Sequence, residues 1–182
     1  MNYTTAEDAE LLAASRQGDL EAFEALVRRH SGAVFAHATR FFGDSSAADD
    51  TVQEVFIKVY RGLDKFDERS RFSTWLYRVT RNTCLDQVRA GRRRPNPVDP
   101  FEITASMPGD LSDEVALSVA VEQAMRALAP EDRDALSAVA LFGLTYAEAG
   151  ETLGVPAGTV KSRVFRARRT LAATLGISKG GA

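Results

Sequence analysis

The sequence predicts an all-α chain: two small helical domains joined by a flexible linker, the C-terminal one containing a helix-turn-helix. Three observations predict it. Apolar residues recur at helical spacing along almost the whole chain, and no stretch sustains the apolar/polar alternation of a strand. Four prolines, at 95, 97, 100 and 108, interrupt that spacing once, in the middle. Near the C-terminus a capped segment, a glycine turn and a longer basic segment follow in helix-turn-helix order. At 182 residues the chain suits one domain or two small ones, and 45% hydrophobic against 26% charged residues supplies core material and argues against disorder.

The elements justify themselves in order. Leu20, Phe23, Leu26, Val27, His30, Val34 and Phe41 trace a helical stripe that ends at Gly43. Asp44, Ser45 and Ser46 are capping residues, and Val52, Val55, Phe56, Val59, Tyr60 and Leu63 behind them repeat at i, i+3, i+4, i+7, i+8 and i+11, predicting a second amphipathic helix. A third is expected from about Phe72 to Ala90, with Gly91 stopping it. The prolines make 92–112 a poor helix and the natural linker, so the domains are expected at 1–91 and 113–182. Beyond it, Val115 to Leu128 reads as one helix and Pro130 suits the first turn of the next, ending near Gly143. Thr145-Tyr146-Ala147-Glu148 is a capping-box pattern, Gly154 a C-terminal stop, and Thr159 to Leu175 the last helix.

Composition excludes several classes. The net charge of −2 hides a segregation: residues 78–94 hold six arginines and one acid, 156–170 hold five basic groups and no acid, whereas 1–54 and 99–134 are acidic by −6 and −7. Solvated helix faces account for any one block but poorly for their separation, which suits two kinds of partner. No apolar run approaches the roughly 18 residues of a membrane helix, and the acidic start lacks a signal-peptide pattern, so a cytoplasmic protein with no membrane insertion is expected. Cys84 is the single cysteine, which rules out an intrachain disulfide and a cysteine zinc cage and leaves a small buried apolar residue with little case for redox chemistry. His30 and His37 share one helix without a carboxylate set, and no phosphate loop or dinucleotide motif appears. No catalytic residue, metal site or cofactor is predicted, and the chain is not expected to be an enzyme.

Three polar faces carry the chemistry. On the second helix Asp49, Asp50, Gln53 and Glu54 surround an unexpected apolar Ile57, a pattern suited to protein docking; a Glu54–Lys58 pair at i, i+4 is the plainer reading and is compatible with it. On the third, Arg78, Arg81, Asn82 and Arg89 lie among apolar residues, with Trp75 expected in the core. Arginine beside asparagine suits phosphate contact plus hydrogen bonding to bases, making single-stranded DNA a candidate ligand. On the last, Val160, Val164, Ala167 and Leu171 form the buried side, and Lys161, Ser162, Phe165, Arg166 and Arg169 the opposite one. A solvated basic helix is the bland alternative there. The capped helix and glycine turn before it, and an aromatic with no core to enter, favour a major-groove reader.

Taken together, these motifs resemble the extracytoplasmic-function (ECF) sigma factors, a group within the sigma-70 family, over residues 8–175. The segment AADDTVQEVFIKVYR resembles the core-polymerase-binding helix, FSTWLYRVTRNTCLDQVR the melting and minus-ten-reading segment, and LTYAEAGETLGVPAGTVKSRVFRARRTL the minus-thirty-five helix-turn-helix. The resemblance implies a subunit that binds core RNA polymerase and directs it to promoter DNA, duplex at the upstream element and single-stranded at the downstream one, under control of an anti-sigma factor. It places Asp49, Asp50, Gln53, Glu54 and Ile57 toward polymerase, and Asn82 with residues 66–72 around a flipped minus-ten base. Arg78, Arg81 and Arg89 stand nearby. Lys161, Ser162, Phe165 and Arg166 read the minus-thirty-five element, with Thr159, Arg163, Arg168 and Arg169 nearer phosphates. Two features depart from the pattern. Ala149-Gly150 replaces a bulky aliphatic and an alanine, implying a loosely packed helix, and SAVALFG is more apolar than the family's usual stretch there, as though a partner covered it. The competing readings are a helix-turn-helix regulator that acts without replacing sigma and an interaction protein that titrates a partner. The first leaves the Arg/Asn/Trp helix unexplained, the second the basic reading face.

Overall fold

The computed structural model describes residues 3, 5–43, 45–91, 120–121 and 123–176, and among these the regular structure is all helix, with no strand. Asp44, the linker at 92–112 and most of the helix expected from Val115 lie outside them, although 120–121 and 123–126 are helical. The elements are α1 (Asp8–Arg16), α2 (Leu20–Phe42), α3 (Ser45–Gly62), a 3-10 turn (Leu63–Lys65), α4 (Phe72–Arg89), α5 (Pro130–Ala140), α6 (Tyr146–Leu153) and α7 (Ala157–Thr174).

Helix α1 has no counterpart in the sequence reading. It is short and weakly amphipathic, and it is held by a capping box in which the Glu7 amide donates to the Glu10 carboxylate at 3.1 Å. It packs on α2, burying Leu11 and Leu12. Helix α2 starts at Asp19, whose carboxylate accepts from the Ala22 amide, and it stops at Gly43 as expected. Leu26, Val34, Val55, Val59 and Leu76 are fully buried where α2, α3 and α4 meet. Two stripe residues are not. Leu20, at the first position of α2, is 62% exposed, and Tyr60 is 46% exposed, standing edge-on to Phe23 with ring centroids 5.0 Å apart.

In the C-terminal part Pro130 opens α5 and the Thr145–Glu148 capping box opens α6, each as predicted. Gly154 closes α6 at φ +70°, a left-handed conformation that favours glycine. Val160, Val164 and Ala167 are buried against α5 and α6, and Leu171 is half-buried. The expectation of loose packing at Ala149-Gly150 is overturned. Ala149 is fully buried, and a Cβ on Gly150 would sit 2.6 Å from the Val155 carbonyl oxygen, so glycine is what lets the turn close onto α6.

The apolar core does not stop between the halves. Phe142, 5% exposed, packs on Tyr77 with ring centroids 5.1 Å apart and on His37 at 6.1 Å. Of the apolar SAVALFG stretch, Phe142 is therefore covered by α2 and α4 of its own chain, while Ala140 and Gly143 stay exposed.

Candidate polymerase and DNA interface

Helix α3 buries Ala47, Ala48, Thr51, Val55, Phe56 and Val59 and turns Asp49, Asp50, Gln53 and Ile57 outward, Ile57 with half of its surface exposed. Glu54 is half-exposed and fastened. It pairs with Lys58 at 3.0 Å, the i, i+4 contact expected, and accepts from Gln87 Nε2 on α4 at 2.9 Å, while Gln87 Oε1 accepts from the Thr51 hydroxyl at 3.1 Å. The acidic face is thus braced from α4, a role for Gln87 that no sequence pattern signals.

Helix α4 divides its polar residues into two groups. Asn82 and Arg89 are exposed, with Arg89 3.3 Å from Asp86. Arg78 and Arg81 are half-buried against the C-terminal part: Arg81 Nε donates to Asp134 Oδ2 at 3.0 Å and Arg78 Nε to the Thr152 hydroxyl at 3.1 Å. Trp75 stacks on Phe66 at 4.8 Å and packs against the core, as expected. Cys84 is buried, and burial pushes its thiol up to about 12, so the thiolate that redox chemistry needs is suppressed.

The loop ahead of α4 is tied down by α1. Arg16 Nε donates to the Leu63 carbonyl at 3.0 Å, its terminal nitrogens reach the Phe66 carbonyl and the Glu68 carboxylate, and its guanidinium lies over the Phe66 ring. Glu68 sits at φ +59°. An arginine with three partners on one loop fixes that loop in a way local sequence cannot reveal.

On α7, Lys161, Ser162, Phe165, Arg166, Arg168 and Arg169 are exposed, and Thr159 and Arg163 half-buried. Phe165 is 64% exposed and forgoes most of the roughly 1.5–3 kcal/mol that fully burying a large apolar side chain provides, so folding gives little reason for an aromatic at this place. Arg166 differs from the expectation of a free reader. Its Nε and Nη2 donate to Asp132 on α5 at 3.1 and 2.6 Å, and this contact raises its pKa. No group of three or more side chains able to hold a metal occurs among the described residues, nor any helix long and apolar enough to cross a membrane.

Comparison with known proteins agrees with this geometry. The Sigma-70 region 2 family model matches residues 26–94 and the Sigma-70 region 4 model residues 118–171. The chain is 38% identical to the ECF RNA polymerase sigma factor SigM of Mycobacterium tuberculosis over 96% of its own length and 87% of that protein. It is 36% identical to the ECF RNA polymerase sigma-E factor of Escherichia coli over 90% of its length and 92% of that protein. Among solved structures it resembles CnrH in complex with the cytosolic domain of CnrY, with a TM-score of 0.67 and 30% identity, covering 94% of this chain and 99% of that one. It also resembles the sigma factor RpoE of Bartonella quintana in complex with the anti-sigma factor NepR, with a TM-score of 0.65 and 26% identity, covering 86% and 98%. Two family regions in order, and a third or more of all residues shared along nearly the full length, place the chain among the ECF RNA polymerase sigma factors.

Proposed function

We propose that this protein binds core RNA polymerase in the cytoplasm and directs promoter-specific initiation without catalytic chemistry of its own. Residues 1–91 form the polymerase-binding and minus-ten domain and 113–182 the minus-thirty-five domain, joined by 92–112. Asp49, Asp50, Gln53, Glu54 and Ile57 dock on polymerase; Arg78, Arg81, Asn82 and Arg89 engage the minus-ten strand. Thr159, Lys161, Ser162, Arg163, Phe165, Arg166, Arg168 and Arg169 engage the minus-thirty-five duplex. The solved relatives in complex with CnrY and NepR support an anti-sigma factor as a further partner.

One observation carries the reading: the exposed polar faces of α3 and α7 stand on helices whose opposite sides are core, and they lie where the two sigma regions match. Run-off transcription with purified core polymerase tests it, since a regulator that does not replace sigma produces no transcript without a second sigma. Charge reversal at Asp49 and Asp50 together is the control for docking. Glu54 is a poorer target than the sequence suggests, because its reversal also breaks the contacts to Lys58 and Gln87. Unchanged retention of core polymerase by the reversed variant refutes the docking face.

A further inference from the structure

We infer that α1 is a strut that fixes the shape of the loop between Leu63 and Phe72, and that Arg16 and Asp8 are positioning residues through which this loop discriminates bases on the minus-ten strand. The bracing stands on contacts alone; its meaning for DNA rests on the function proposed above.

The loop does little to place itself. The Phe66 amide donates to the Leu63 carbonyl and the Arg69 amide to Asp67, both at 3.2 Å, bonds that bend the segment without attaching it to the body of the protein. The attachment comes from α1. Asp8, the first residue of that helix, is anchored on α2: Oδ1 accepts from Arg29 at 2.7 Å and Oδ2 from His30 Nε2 at 3.0 Å, while Arg29 also donates to the Ala6 carbonyl at 2.6 Å. The His30 hydrogen bond holds the Asp8 carboxyl below the usual carboxylate range, so it stays charged. Arg16, the last residue, stands about 12 Å further along at the helical rise. It grips the near end of the loop through the Leu63 and Phe66 carbonyls and the Glu68 carboxylate. The far end is held from the same anchor, because the His30 ring that Asp8 fixes stands edge-on to the buried Phe72, with centroids 5.1 Å apart.

The contacts close a ring that runs from Asp8 through His30 and Phe72, along the loop to Arg16, and back through α1. Phe66 packs inside it, 6.3 Å from Phe72 and stacked on Trp75, so the inner side of the loop is core. Asp67, Glu68 and Arg69 are left exposed at the head of α4, the helix assigned to the minus-ten strand. Glu68 shows that the shape is imposed. A non-glycine residue at φ +59° persists where its surroundings over-determine it, and its carboxylate is the one that Arg16 holds. A cation in the last turn of a helix also serves the helix dipole, but that role needs no partner on another segment. Arg16 and Asp8 are committed to the loop and to α2, so they act on DNA through the loop. A loop held in one shape loses little freedom on binding and accepts fewer bases than a loose one.

Selection of random-sequence single-stranded oligonucleotides by the polymerase-loaded protein, read by sequencing, tests this. Arg16→Ala should lower the strongest base preference by about tenfold, the cost of ordering one residue's backbone, and Asp8→Asn by about threefold. Total oligonucleotide bound and retention of core polymerase should stay as in wild type, which a merely structural role does not predict. Asp8→Asn keeps the test open should Arg16→Ala misfold. Folded variants that select as sharply as wild type overturn the positioning role, and so does a loss of total binding with the preference unchanged. A wild type that fails to retain core polymerase, or selects no base, overturns the proposed function instead. Amide exchange across 63–71 on the free chain then decides the strut, faster in Arg16→Ala if α1 holds the loop and unchanged if it does not.

Discussion

Arg166 and Asp132 are joined by two hydrogen bonds across the α7–α5 packing, with the carboxylate mostly buried and the guanidinium mostly exposed. The cation is therefore aimed by its neighbour. A positioned arginine suits forked recognition of a base edge better than a loose one, whereas a freed arginine falls back on phosphates. Asp132→Ala should raise general duplex affinity, steepen the salt dependence by about one phosphate contact, and lower discrimination for the upstream element. Titrations of specific and scrambled duplexes at several salt concentrations, with the variant loaded on polymerase, measure both. Unchanged discrimination would mean the pair serves folding alone.

Arg166 and Asn82 should fail in different ways. Arg166→Ala should lose about 1–3 kcal/mol of upstream recognition, and a pre-melted template should not rescue it. Asn82→Ala, exposed on α4 beside the Arg78 and Arg81 contacts, should leave closed-complex affinity near normal and impair opening, with a premade bubble restoring much of the activity. Closed-complex affinity and permanganate reactivity of the bubble separate the two; equal losses in both assays contradict the division.

Gly150→Ala sets two effects against each other. Alanine gains about 1 kcal/mol of helix propensity over glycine. The new Cβ, 2.6 Å from the Val155 oxygen, must displace the turn backbone, and overpacking of that kind costs typically 1–3 kcal/mol. The clash should win, lowering the thermal midpoint of the chain and weakening upstream binding. A higher midpoint would show that the turn yields freely.

Arg16→Ala should loosen residues 63–68 without unfolding α1, whose core contacts are Leu11 and Leu12. Faster amide exchange across that loop, together with poorer downstream-element selectivity, is the expected signature. Arg16→Lys should restore little, because one ammonium cannot replace a guanidinium that reaches three partners.

Burial holds His37 near 4, and neither ring nitrogen has a hydrogen-bond partner. The charged groups around it are Asp134, which favours its protonation, and Arg81, Arg40 and Arg133, which oppose it. In the unfolded chain His37 takes up a proton near its ordinary 6.5; in the folded one it cannot until about pH 4. Its contribution to stability is therefore fully present above 6.5 and is lost as pH falls from there toward 4. Thermal melts between pH 7.5 and 5 should show a falling midpoint, with the fall smaller in His37→Leu.

Local grammar was legible in the sequence. The Thr145–Glu148 box, the Gly154 stop and the Val160, Val164 and Ala167 stripe depend on residues within a few positions of each other, and each stands where the spacing put it. Pairings across distance were not. Asp132 lies 34 positions from Arg166, and Asp134 lies 53 from Arg81, so the sequence marked both arginines as cations for DNA and could not see their acids. Leu20 and Tyr60 matched a buried phase but sit at its margin, where no neighbouring helix covers them fully. Helix α1 escaped notice because its stability comes from packing on α2 rather than from a strong apolar stripe of its own.

Glu148 uses its two oxygens for different tasks. Oε2 accepts the Thr145 amide and hydroxyl, both at 2.8 Å, and Oε1 accepts Thr74 from the other unit. The cap that starts the reading motif and the tie to α4 therefore meet on one side chain through different oxygens, so Thr74→Val removes the second and leaves the first whole.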